Sequence, residues 1–264
     1  MIKTKVIGRV FRQDEIADQI YDMWIETELA QGARPGQFVC VYTKNAAALL
    51  PRPISICEVN EEKTMLRLVY RTVGTGTNEF AAYHAGTEIS LLGPLGNGFL
   101  VEKAAGKRVF LIGGGIGIPP MLQLSKEIKK AGQAYCELSV LGYRNELFLN
   151  TDLEKYSQVY VATEIGSAGS KGTELDALKD KGLSGDVIFA CGPMPMLRAI
   201  KEYAAANNME AYISLEEHMA CGVGACLGCV CKTKNVDAHS HVHNSRICTD
   251  GPVYNAEEIG RAHV

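Results

Sequence analysis

Four cysteines close to the C-terminus, Cys221, Cys226, Cys229 and Cys248, have the type and spacing to do chemistry. They run C-x4-C-x2-C, and the fourth follows after a further eighteen residues. This is the plant-type ligand order of a 2Fe–2S cluster, in which four thiolates hold two irons and electrons move one at a time. The stretch Cys221-Gly222-Val223-Gly224-Ala225-Cys226-Leu227-Gly228-Cys229 places glycines where a loop must curl around a compact anion with its amides turned inward. A structural zinc site is the competing reading, because four thiolates also suit tetrahedral zinc. Zinc knuckles usually come as paired C-x2-C units, and a single such unit here favours iron–sulfur.

The remaining cysteines read differently. Cys231 is near enough to be an alternative ligand, but the plant-type set is complete without it, and a free thiol is the simpler reading. Cys40, Cys57, Cys136 and Cys191 lie in or beside apolar strands and read as small core hydrophobes. His239, His241 and His243 alternate in a polar loop before Cys248, where a solvated insertion is favoured over a further metal site.

One-electron ligands need a partner group elsewhere in the chain. Val109-Phe110-Leu111-Ile112-Gly113-Gly114-Gly115-Ile116-Gly117-Ile118-Pro119-Pro120 is a buried strand entering a glycine turn that opens a helix. Bare backbone and unpaired helix amides suit a pyrophosphate, and prolines in the first helical turn cost only amides without intrahelical partners. The turn ends in Pro-Pro without the third glycine of the Rossmann fingerprint, a departure from dehydrogenases of that type. A tight strand–helix turn is the bland alternative. Arg52-Pro53-Ile54-Ser55 puts an arginine and a hydroxyl at a strand start, suited to a phosphate and a flavin ring. Val69-Tyr70-Arg71 and the small-residue turn Gly74-Thr75-Gly76-Thr77 add to it.

These groups need elements to position them. Strand-like runs over Lys3–Phe11, Ile20–Leu29, Gln37–Tyr42, Ile54–Val59, Met65–Arg71 and Glu88–Leu92 suggest a small antiparallel barrel. After Gly93-Pro94-Leu95-Gly96-Asn97-Gly98 the pattern alternates. Strands at Val109–Ile112, Cys136–Leu141, Val159–Thr163, Val187–Ala190 and Ala211–Leu215 interleave with helices at Met121–Ile128, Glu174–Lys181 and Met194–Asn207. Such alternation predicts a parallel sheet with crossover helices. Beyond Glu216 the sequence becomes a Cys- and Gly-rich loop segment. The expected divisions are 1–100, 101–215 and 216–264, more than the roughly two domains that length alone suggests.

Composition bounds the partners. A hydrophobic content of 47% with 22% charged residues is that of a soluble globular protein, and no long apolar run suggests a membrane span. The first ten residues alternate charged and apolar side chains and form no signal-peptide core, so a cytoplasmic chain with reduced thiols is expected. A net charge of −3 gives no electrostatic case for nucleic acid or an anionic membrane.

In order and combination, Arg52-Pro53-Ile54-Ser55, Gly74-Thr75-Gly76-Thr77, Gly93 to Phe99, Gly113 to Gly117 and Cys191-Gly192-Pro193 resemble the ferredoxin–NADP reductase superfamily. That superfamily pairs an FAD-binding barrel with a nicotinamide-binding α/β domain. Glu216-Glu217-His218-Met219-Ala220-Cys221, with Asp250-Gly251-Pro252-Val253 after Cys248, narrows the likeness to electron-transfer subunits of B-type, NAD-dependent dihydroorotate dehydrogenases. The histidine-bearing segment before Cys248 is longer than in that pattern. The resemblance implies that Arg52, Pro53, Ile54, Ser55, Val69, Tyr70, Arg71, Gly76 and Thr77 hold FAD. It implies that Gly113, Gly114, Gly115, Gly117, Cys191, Gly192 and Pro193 face NAD, and that the four cysteines ligate the cluster. It also implies an FMN-containing catalytic partner, two copies of each subunit, and a place in pyrimidine (UMP) biosynthesis. No orotate site is evident in this chain. A reductase subunit feeding a hydrogenase, ferredoxin or sulfur-reducing partner is the nearer alternative, and a zinc-dependent interaction module the remote one. Glu164, just after a strand, could favour an unphosphorylated ribose, or be a solvated acid.

Overall fold

A computed structural model of the chain describes residues 5–237 and 241–260; His239 lies outside them. Six strands close an antiparallel barrel in the order β1-β2-β5-β4-β3-β6. They are β1 (Lys5–Ala17), β2 (Ile20–Glu26), β3 (Phe38–Tyr42), β4 (Arg52–Val59), β5 (Met65–Arg71) and β6 (Glu88–Leu95). Alternation sends Met23, Ile25, Val39, Leu66, Leu68 and Leu91 into the barrel core. A seven-residue helix, α1 (Thr75–Ala81), stands where the sequence reads only a small-residue turn. Gly76 weakens helical propensity there, but Thr77 Oγ1 accepts the amides of Val73 and Gly74 and fixes the first turn.

The second layer follows from alternating strand and helix signals. It comprises β7 (Arg108–Gly114), α2 (Pro119–Ala131), β8 (Cys136–Tyr143), α3 (Asn150–Leu153), β9 (Gln158–Thr163), β10 (Ser170–Lys171), α4 (Glu174–Asp180), β11 (Val187–Cys191), α5 (Met194–Ala206) and β12 (Glu210–Ser214). The strands pair in parallel in the order β10-β9-β8-β7-β11-β12. β10 and α3 escape the sequence pattern because each is too short to show a period. Sequence-successive strands run outward from β7 on one side, while β11 and β12 lie on the other. The switch point, where such sheets open a crevice at the strand C-termini, therefore falls between β7 and β11.

The cysteine-rich segment is not all loop. β13 (Val230–Lys232) and β14 (Asn244–Arg246) form a hairpin, and β15 (Val253–Asn255) adds antiparallel to β12, so the chain end returns to the α/β sheet. One hydrophobic cluster then spans all parts, including Phe38, Cys40 and Leu95 of the barrel, Ile213 of the sheet, and Cys229 and Cys248. Barrel and sheet are also fastened by charge. Arg67 on β5 contacts Asp22 at 2.8 Å, Glu58 at 3.1 Å and Asp152 of α3 at 3.1 Å, while Lys126 of α2 reaches Glu58 at 3.2 Å.

Candidate functional site

The four sequence-predicted thiols come together, in two adjacent pairs. The amide of Cys226 points at Cys221 Sγ at 3.4 Å, and the amide of Cys248 at Cys229 Sγ at 3.4 Å. Gly224 N, at 3.2 Å from Cys248 Sγ, ties one pair to the other. Amides of Val223, Ala225 and Gly228 also point at cysteine sulfurs, at 3.3–3.4 Å. Turning so many amides inward needs left-handed backbone at Gly222 (φ 68°) and Gly224 (φ 82°), which glycine adopts without steric cost. Burial opposes ionisation of Cys221, but the amides of Val223, Cys226 and Ala225, with the Cys226 thiol, outweigh it and lower the thiol to about 6. Burial and the neighbouring Cys229 push Cys248 up to about 12. Two thiol pairs with converging amides fit a two-iron core, which takes two protein ligands on each iron. A lone zinc ion would instead need all four at one point.

Cys231 is buried beside Tyr254. His243 Nδ1 pairs with Lys234 O at 2.8 Å, a loop-closing contact.

The barrel face gathers the second predicted set. Ile56 pairs with Leu68, so Arg52–Ser55 and Val69–Arg71 lie at the same end of the β4–β5 pair. Arg52 crosses the first turn of α1: a Cβ on Gly76 would stand 2.5 Å from its Nε. A guanidinium over a glycine turn can hold a phosphate. Tyr70 turns its ring into the barrel core and donates to Gln13 Oε1 at 2.8 Å, while its backbone pairs with Tyr21 of β2. Val69 is buried, while Arg71 is exposed.

The third set lines the switch-point crevice. Gly113 pairs with Cys191, so the glycine turn and the Cys191-Gly192-Pro193 turn sit side by side. Their approach is close: a Cβ on Gly117 would lie 2.2 Å from Cys191 O. Cys191 is pushed up to about 12 by burial, against a hydrogen bond with Ser214 that lowers it. Pro119 and Pro120 begin α2, whose amide end faces the same crevice. Glu164 is exposed and faces Arg144 at 3.8 Å across the ends of β9 and β8.

Sequence reading missed two contacts that tie the sets together. Cys40 of β3 pairs with Pro53 of β4, and its Sγ lies where a Cβ on Gly222 would come within 2.9 Å. Asn97 joins the segment after Cys248. Neither carries a local signal, since both depend on strand register.

A flavin-reductase-like barrel, a parallel nucleotide-type sheet and a C-terminal iron–sulfur module together define a ferredoxin reductase-like electron-transfer protein. Residues 216–260 match the iron–sulfur cluster binding domain of dihydroorotate dehydrogenase B. The "Dihydroorotate dehydrogenase B (NAD(+)), electron transfer subunit" of Geobacillus sp. (strain WCH70) is 40% identical over 255 residues, 95% of this chain and 96% of the relative. That of Bacillus velezensis is 42% identical over 250 residues, covering 93% and 94%. That of Listeria monocytogenes serovar 1/2a is 39% identical over 260 residues, covering 98% and 99%. Among solved structures, an NADH-dependent reduced ferredoxin-NADP oxidoreductase described for flavin-based electron bifurcation superposes with a TM-score of 0.86 at 28% identity, over 97% of this chain and 90% of that one. A Neisseria gonorrhoeae ferredoxin NADP+ reductase shares the fold, with a TM-score of 0.66 at 17% identity over 77% and 91%. The chain belongs to the family of dihydroorotate dehydrogenase B (NAD(+)) electron transfer subunits. It is thus the electron-transfer component of an oxidoreductase, on the fold expected from the sequence.

Proposed function

We propose that this chain carries electrons between an FMN-containing dihydroorotate-oxidising subunit and NAD+, with Cys221, Cys226, Cys229 and Cys248 as cluster ligands. The observation that carries the reading is Cys40, which pairs in register with Pro53 of the Arg52–Ser55 strand and touches the ligand loop at Gly222. One strand spacing, about 5 Å, therefore separates the Arg52–Ser55 strand from β3, which carries Cys40. When bound, the cluster supplies one-electron exchange, FAD exchanges one or two electrons, and NAD+ takes a hydride.

The chain's residues divide the work. Arg52, with Gly76 and Thr77, would hold the flavin phosphates, while Pro53, Ile54, Ser55, Val69, Tyr70 and Arg71 would flank the ring. Inward amides at residues 223–226 would offset the charge of the thiolates. Gly113, Gly114, Gly115 and Gly117 would admit the dinucleotide pyrophosphate at the amide end of α2, with Cys191, Gly192 and Pro193 beside the nicotinamide. The divisions 1–100, 101–215 and 216–264 would serve flavin, dinucleotide and cluster in turn. The complex is read as two copies of each subunit in the cytoplasm; among the described residues no helix is long and apolar enough to cross a membrane.

Affinity capture of the native complex, followed by an NAD+-dependent dihydroorotate assay, tests the reading. The isolated chain should show flavin and iron–sulfur absorbance, oxidise NADH with artificial acceptors, and leave dihydroorotate untouched. A colourless, zinc-containing preparation after native reconstitution would sink it. Capture of a partner without dihydroorotate activity would favour a reductase subunit of another redox complex, the reading nearest to the bifurcating structural relative.

A further inference from the structure

The Gly93-Pro94-Leu95-Gly96-Asn97-Gly98 turn contributes to the family resemblance but is assigned no ligand in the reading above. In the structure it is where the barrel grips the Cys248 arm. Asn97 N donates to Gly251 O at 2.5 Å, and Asn97 Nδ2 donates to Asp250 O at 3.0 Å. Asn97 also forms an isolated parallel bridge with Pro252. Gly96 lets the two chains approach, since a Cβ there would meet Gly251 O at 2.6 Å. On the barrel side, Gln37 Nε2 donates to Gly96 O at 2.7 Å.

The arm itself is a closed turn. Asp250 Oδ2 accepts from Arg246 N at 2.9 Å and from Arg246 Nε at 3.1 Å, so Cys248 sits inside a loop locked at both ends. The exit of that loop, residues 250–252, is fixed to the barrel through Asn97 and to the sheet through Leu215 N, which donates to Pro252 O at 2.9 Å. From Asn97 the connection runs straight across the wall: Leu95 pairs with Phe38, and Phe38 pairs with Ser55 of β4. Of these ties the Asn97 contact is the polar one from the barrel to the loop exit, so its loss would loosen the seat of Cys248 against the Arg52–Ser55 strand.

We propose that Asn97 is a positioning residue for one-electron exchange between flavin and cluster, acting by seating the Cys248 arm on the flavin barrel. This rests on the flavin–cluster reading above. No bond is made or broken in that exchange. In the test direction, NADH gives a hydride to the flavin and leaves as NAD+, and electrons then pass singly to the cluster.

The side chain of Asn97 is exposed, so removing it leaves the hydrophobic core intact. Asn97→Ala removes the side-chain donor, and Asn97→Asp keeps the shape without the donor. Each variant is prepared as the FAD- and cluster-loaded chain, with iron, sulfide and flavin quantified. Stopped-flow mixing with NADH then separates flavin bleaching from cluster reduction, and EPR of the dithionite-reduced protein reports the ligand geometry. The expected result is full cofactor content, a lower ratio of cluster-reduction rate to flavin-reduction rate in both variants, and a shifted EPR signal. Wild-type ratios and spectra at full content would overturn the proposal, and so would joint loss of flavin and cluster, which marks a purely structural latch. Wild-type protein lacking flavin or iron–sulfur absorbance would instead refute the underlying reading.

Discussion

Arg67→Ala should cost about 3–4 kcal/mol of stability, near the middle of the roughly 3–5 kcal/mol that follows removal of one partner from a buried ion pair. The guanidinium is 9% exposed and holds three carboxylates at once. Two of these keep another cation after the substitution: Glu58 retains Lys126 at 3.2 Å, and Asp152 retains Lys155. Asp22 does not. Both its oxygens bind Arg67, at 2.9 and 2.8 Å, its side chain is 5% exposed, and no other cation among the described residues lies within ion-pair distance. The stranded Asp22 charge therefore dominates the cost, which corresponds to more than about a hundredfold in the folding equilibrium. Urea unfolding at pH 7 can be followed on Trp24, the only tryptophan, whose ring centre lies 5.6 Å from Arg67 Cζ. Adding Asp22→Asn should restore a good part of the loss, because it removes the stranded charge. A loss under about 1 kcal/mol, or no recovery in the double variant, would refute the argument that this network is a buried clasp.

Other expectations concern the sites and their pH dependence. Cys226→Ala should abolish the iron–sulfur absorbance and EPR signal while flavin remains bound; electron flow to the catalytic partner at the wild-type rate would contradict the ligand assignment. Gly117→Ala should weaken NADH binding sharply, since its Cβ would drive into Cys191 O at 2.2 Å and part the two crevice turns; titration by flavin bleaching reads it, and an unchanged affinity would place the nucleotide elsewhere. Glu137 on β8 is raised to about 7 by burial, against the hydrogen bond from Ser125 that lowers it. The folded state thus holds the proton more tightly than the unfolded chain, so stability is full below the ordinary carboxylate range and falls as pH rises towards 7 and beyond. Glu137→Gln should flatten that fall, which is on the order of 3 kcal/mol at most between pH 5 and 8; parallel denaturation curves of the two proteins across this range would count against it.

Much of the fold was legible because its signals are local. The barrel strands show β-branched runs between turn residues, and β7 to α2 shows a buried run, a glycine turn and a proline-started helix. The gathering of the four thiols was legible too, because three of them share one tight loop. Helix α1 was not, since its first turn depends on Thr77 capping backbone amides against glycine's poor propensity. Nor were β10 and α3, which exist by pairing and packing, not by pattern.

By itself the sequence determined which chemistry the chain can do: thiolate spacing, a glycine turn and an arginine strand are contiguous motifs, and contiguous residues stay together however the chain folds. Tertiary structure alone decided how those pieces meet. Register across β6, β3 and β4 brought Cys40 under Gly222 and Asn97 against Asp250, and charge burial brought Arg67 to Asp152. Such contacts join residues far apart in the chain, and a one-residue slip in strand pairing would turn each side chain to the opposite face.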